Sequence, residues 1–173
     1  MQLLSSASTP TYGMWNDNVV PATLSTGDGK SAELGLKFQT RKTGKITGVR
    51  FYKSAQNTGI HTGTLWGRNG QALASVTFTN ETPSGWQSAF FARPVEIATN
   101  TTYIVSYHAP SGYYSSNDSY FESDRINKGL VAMRSSADNP NGLIGYSNSP
   151  VFPGRGGQGV NYWVDVIFLP TAE

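Results

Sequence analysis

A chain of 173 residues is the size of one domain, and 38% apolar residues with 19 glycines are the proportions of a folded globular protein, which rules out disorder over most of the length. Charged residues make up only 14%, against a norm of about 25%, so Ser, Thr, Asn, Gln and Gly must build the surface, as suits an extracellular β-protein. The 13 basic and 11 acidic side chains leave a net +2 with no cluster of four or more Lys/Arg, which argues against a phosphate-tracking surface and nucleic acid as a partner.

Residues 1–11 read as a tail or an added edge strand, and residues 12–170 as a single domain. The opening Met1 to Ser8 has neither the basic start nor the apolar core of roughly 7–15 residues that marks a secretory leader. A removed leader, or one module cut from a longer chain, is the expectation. Helical periodicity is then nearly absent, because Gly, Pro, Asn and Thr punctuate short β-branched and aromatic stretches roughly every eight to twelve residues. Strand candidates are 19–24, 33–39, 45–53, 63–66, 72–79, 86–91, 95–97, 102–108, 113–121, 130–133, 143–146 and 162–169. About ten of them should form an all-β, antiparallel two-sheet sandwich of jelly-roll type.

Within 45–53, Val49 and Phe51 face one way and Arg50 and Tyr52 the other. Asn69-Gly70 supplies the positive-φ pair of a type I′ hairpin turn. In 102–108, Tyr103, Val105 and Tyr107 share one face, while Thr102, Ile104, Ser106 and His108 share the other, the pattern of a sheet with one wet face. Phe38, Phe51, Phe78, Phe90, Tyr103 and Phe168 are the expected core rings. Two loops, about 57–63 and 135–159, are long for a compact domain and are expected to be functional or mobile.

The chemistry available is limited. Cysteine is absent, which excludes disulfides, thiolate catalysis and cysteine zinc sites, and no apolar run approaches the roughly 18 residues of a membrane span. No G-x-S-x-G, H-E-x-x-H or P-loop pattern occurs, so no catalytic residue is assigned and an enzyme is not expected. A hydrolase using Glu81, Asp165 and His108 is the weakest reading. Asp165 sits inside the apolar run Trp163 to Phe168 and must have a partner: a basic group such as Arg50, backbone N–H groups, or a metal. Calcium takes oxygens from loop acids, and Asp17, Asp28, Glu33, Asp118, Asp124 and Asp138 lie in or near loops. A structural Ca2+ is therefore possible, with Asp28, Glu33, Asp118 and Asp165 as weak ligands.

Aromatic residues give the best handle on function. In the stretch from His108 to Tyr120 the adjacent Tyr113 and Tyr114 must point to opposite faces if extended, which leaves a ring for solvent or a ligand. Surrounded by His108, Asn117, Asp118 and Tyr120, such a ring suits a pyranose, which presents an apolar face and a rim of hydroxyls. Asn57, His61 and Tyr146 complete the candidate ligand-binding set.

The strings Glu33-Leu34-Gly35-Leu36-Lys37-Phe38, Gly44-Lys45-Ile46-Thr47-Gly48-Val49-Arg50-Phe51-Tyr52-Lys53, Asn57-Thr58-Gly59-Ile60-His61-Thr62-Gly63-Thr64-Leu65-Trp66, Leu73 to Gln87, Thr101 to Pro110 and Asn161 to Val166 follow in an order that resembles the domain of unknown function 4082 family. The resemblance covers roughly 15–169. It implies a β-sandwich module of large secreted bacterial proteins, often beside polysaccharide-active domains, and it carries no catalytic residues. The leading expectation is a non-catalytic, extracellular carbohydrate-binding or adhesive module with a polysaccharide or cell-surface glycan as partner. The alternative is a structural subunit that self-associates when the apolar Leu3-Leu4 segment adds to a neighbour's sheet edge.

Overall fold

The computed structural model describes residues 9–172. Its thirteen strands are β1 (Thr23–Gly27), β2 (Ala32–Thr40), β3 (Gly44–Lys53), β4 (Thr62–Gly67), β5 (Ala72–Thr77), β6 (Gly85–Ile97), β7 (Tyr103–Ala109), β8 (Tyr113–Ser116), β9 (Arg125–Asn127), β10 (Leu130–Ala132), β11 (Leu143–Tyr146), β12 (Arg155–Gly156) and β13 (Val164–Pro170). The all-β sandwich is as the sequence predicts. The strand count is higher because β9 and β12, with three and two residues, are too short to show a hydrophobic period.

The larger sheet has the order β12-β11-β2-β7-β4-β5, with β10 beside the second half of β2 and β9 beyond it. A three-stranded sheet, β13-β3-β6, lies against it, and β1 pairs with β8 at one edge. All of these pairings are antiparallel. Between the two sheets, Leu34, Leu36 and Phe38 of β2, Leu65 of β4, and Val105 and Tyr107 of β7 meet Ile46, Val49 and Phe51 of β3 and Val164, Val166 and Phe168 of β13. Phe51 stacks on Tyr107 across the gap, centroids 4.1 Å apart and planes at 12°. Each such buried ring contributes about 1.5–3 kcal/mol over leaving it in water.

Four expectations are corrected. Phe90 is outside the core, 62% exposed: Gln87, Ala89, Phe91 and Ile97 are the buried positions of β6, and Phe90 pairs with Gly48, which offers no side chain to cover it. The 86–91 and 95–97 stretches are one strand, because the register shift opposite Ile46 and Gly48 lets 91–94, with Pro94, bulge out of the ladder without ending it. The 64–73 hairpin has a three-residue loop. Gly70 alone takes positive φ (87°), the Gly67 carbonyl accepts from Gly70 N–H, and a register shift follows at Leu65/Trp66, the pattern of a type I turn with a bulge.

The fourth concerns the supposed wet face of β7, which is covered: Ile104, Ser106 and His108 are all buried. The long loop lies across it. Phe152 packs edge-on against Trp66, and Gly35 leaves room for Pro153, whose Cγ would come within 2.8 Å of a Cβ there. Instead of an open functional loop, the segment after β11 is largely a lid on the larger sheet.

Candidate functional site

Three buried polar clusters account for most of the ionisable candidates. The first sits on the outer side of the small sheet. Asp165 is fully buried; its Oδ1 accepts from the N–H groups of Met14 and Val166, both at 2.8 Å, and its Oδ2 from Trp15 N–H at 3.3 Å and Arg50 Nε at 3.1 Å. Burial pushes the carboxyl up, and Arg50 and the three N–H groups pull it back. The carboxylate stays ionised, since all four neighbours are donors and a protonated oxygen would have nothing to donate to. Arg50 also donates to Asp17 and to the Trp15 carbonyl, and its guanidinium lies 4.1 Å from the Trp86 ring centroid. Of the partners named for Asp165, the basic group and the backbone are both present, and its oxygens are fully occupied without a metal.

The second cluster closes the end of the sandwich near the 57–63 loop. His61 is buried against Phe51, with Nδ1 2.8 and 3.0 Å from the two Glu81 oxygens and Nε2 2.8 Å from Asn57. Lys53 Nζ is 3.2 Å from Glu81, and the Asn57 amide reaches the Tyr107 hydroxyl at 3.3 Å. Burial lowers the His61 pKa against the pull of Glu81. The ring donates Nδ1–H to Glu81, its Nε2 stands against the Asn57 Oδ1, and the Asn57 Nδ2 donates to the Tyr107 hydroxyl. Burial also keeps that phenol protonated.

Glu33, Ser106 and His108 form the third cluster beneath the long loop. Ser106 Oγ donates to Glu33 Oε1 at 2.7 Å, His108 Nδ1 is 3.1 Å from Oε2, and Trp66 Nε1 donates to Ser106 at 2.7 Å. The carboxylate stands between serine and histidine here, whereas an activated serine needs the imidazole beside it. Glu81, Asp165 and His108 thus belong to three separate hydrogen-bond systems.

Asn117 and Tyr120 are also engaged within the fold. Asn117 Oδ1 accepts from Ala22 N–H and Trp163 Nε1, and the Tyr120 hydroxyl accepts from Trp15 Nε1. Asn57, His61 and His108 are buried.

What remains of the predicted set converges. Tyr113 and Tyr114 do point apart: Tyr113 is exposed over Gly29, and Tyr114 is buried edge-on against Tyr162 at 5.4 Å. Tyr146, at the end of β11, is 53% exposed. Burial raises the Tyr114 pKa, and Tyr162, Tyr146 and Asp28 raise it further; Tyr162 is pushed up to about 12 by burial, Tyr146 and Asp118. Tyr113, Tyr146, the buried Tyr114 and the half-buried Tyr162 therefore share one edge with the exposed Asp28, while the exposed Asp118 lies beyond the far end of β8, on the side of Tyr162. Sequence reading missed Tyr162. Its signal was the adjacent pair Tyr162-Trp163, which must divide between two environments just as Tyr113-Tyr114 does.

Among the described residues no three His, Cys, Asp or Glu side chains come together as a metal site. Asp28 instead accepts from Lys30 N–H at 3.1 Å.

The model for a domain of unknown function, DUF4082, matches residues 18–164. The chain belongs to this family. The DUF4082 match spans the tyrosine edge, Arg50, and the His61 and His108 clusters; residues 12–17 and Asp165 fall outside it. No curated protein matches the sequence.

Proposed function

We propose that the domain is a non-catalytic carbohydrate-binding or adhesive module of a secreted protein, which holds a polysaccharide or cell-surface glycan at the tyrosine edge. The observation that supports this is the exposure of Tyr113 and Tyr146 at one edge beside Asp28, flanking the Tyr114–Tyr162 pair, with Asp118 farther along on the Tyr162 side. Rings there offer apolar faces for sugar C–H groups, and the carboxylates and phenols offer acceptors and donors for hydroxyls. Tyrosine brings such contact area at small entropic cost, having only two side-chain torsions to fix. An open edge of this kind suits affinities from μM to mM, about 4–8 kcal/mol.

Affinity electrophoresis against plant, algal and bacterial polysaccharides tests the proposal. Retardation by at least one polysaccharide is expected, weakened at least tenfold by Tyr146→Ala and by Tyr113→Ala while the melting temperature is nearly unchanged. No retardation by any polysaccharide, or retardation that survives both substitutions, would retire it.

A further inference from the structure

The segment Tyr12 to Trp15 is held like a bound peptide. Tyr12 exchanges both backbone hydrogen bonds with Phe168, at 3.0 and 2.8 Å. The Gly13 carbonyl accepts from Asn127 Nδ2 at 2.7 Å, Met14 and Trp15 N–H donate to Asp165, the Trp15 carbonyl accepts from Arg50, and the Tyr12 hydroxyl donates to the Lys128 carbonyl at 2.8 Å. The side chains of Met14 and Trp15 are buried. Gly13 is required, because a Cβ there would overlap the Asp165 carboxylate.

Apart from Asp17, whose carboxylate accepts from Arg50 Nη1 at 2.6 Å, this recognition does not depend on the covalent link that follows it. The nearest partner in sequence, Arg50, is 35 residues from Trp15. The link itself, Asn16 to Val20, is largely exposed, and its internal hydrogen bonds are Asn18 N–H to Asn16 Oδ1 at 3.1 Å and Val19 N–H to the Asn16 carbonyl at 3.3 Å. A segment of identical sequence arriving from another molecule meets the same donors, the same acceptors and the same gap at position 13.

We infer that the cleft formed by Asp165, Arg50, Asn127 and Phe168 accepts residues 12–15 of a second copy of this chain, so that two molecules trade arms. The occupant is a second copy because the cleft demands an aromatic residue, a glycine and two large apolar residues in succession, and this chain carries that sequence itself. Exchange keeps every contact of the arm and rearranges only the exposed link, the low-cost route to a dimer. The tethered arm competes at an effective concentration on the order of mM, so exchange at ordinary concentrations becomes visible when a molecule's own arm is disabled.

Two full-length variants separate arm from cleft. Gly13→Val spoils the arm and leaves the cleft, and Asp165→Asn spoils the cleft and leaves the arm. Each alone is expected to run as a monomer in size-exclusion chromatography with light scattering. Their equimolar mixture is expected to give a heterodimer, and the melting temperature of the Gly13→Val component to rise by several degrees. A mixture that stays monomeric with two unshifted transitions overturns the inference. Should either variant fail to fold alone, the two are refolded together: soluble heterodimer obtained only from the mixture supports exchange, and aggregation of the mixture like that of its parts refutes it.

Discussion

Asp165 is the side chain whose removal should cost most per atom. Asp165→Ala leaves Arg50 buried without its carboxylate and strips three backbone N–H groups of their acceptor, a loss of about 3–5 kcal/mol for a broken buried pair. At about 2–4 °C per kcal/mol for a domain of this size, the melting temperature should drop by on the order of 10 °C in a thermal scan; an unchanged curve would contradict the bonding described. His61 makes a different prediction. Its folded pKa lies below the unfolded value of 6.5, so the unfolded chain takes up a proton first as pH falls. The contribution of the neutral ring is complete above pH 6.5 and is lost progressively below it, down through the folded pKa. Urea midpoints measured between pH 7.5 and 5 should fall toward acid, and less steeply in His61→Asn. Trp163 carries the backbone signature of this region, a bulky residue at φ 57°, which is rare and tolerated here because Asn161 Oδ1 takes its N–H and Tyr52 N–H takes its carbonyl.

At the level of strands, alternation is informative only where both faces meet something different. β3 shows this: Val49 and Phe51 go inward and Arg50 and Tyr52 outward, as the sequence implies, because only one side faces the other sheet. β7 defeats the rule, since the chain returns from residue 147 to 157 to cover its second face, and nothing local to β7 announces that return. β6 defeats it at Phe90, where the decisive fact is the glycine on the partner strand. The consequence is measurable. Phe90→Ser should change stability by no more than about 0.5 kcal/mol, as an exposed site does, whereas Phe91→Ala should cost about 3–5 kcal/mol; equal losses in denaturant titrations would show that the inward and outward assignments are wrong. Of the candidate site, Tyr113, Tyr114 and Tyr146 were legible because adjacent or isolated aromatics in polar loops have few places to go. Asn57, His61, His108, Asn117 and Tyr120 misled because polar residues near loops are as useful for tying loops down as for meeting a ligand.

The whole molecule is closed by contacts between residues far apart in the sequence. β2 pairs with β7, β3 with β13, and Tyr12 with Phe168. Such a topology must form distant loops before it gains contacts, so refolding followed by far-UV circular dichroism should take milliseconds to seconds, the range of all-β domains; completion in microseconds would be inconsistent with these pairings. The same closure carries a spectroscopic consequence. Trp15 lies 5.1 Å from Trp163, and Trp163 lies 6.3 Å from Trp86, while Trp66 stands on the opposite outer face beside Phe152. Three indoles this close couple their electronic transitions, and one of the three rides on the N-terminal arm. Undocking that arm would break the exciton pair, so the aromatic ellipticity band is a built-in gauge of whether the arm is seated, readable without any label.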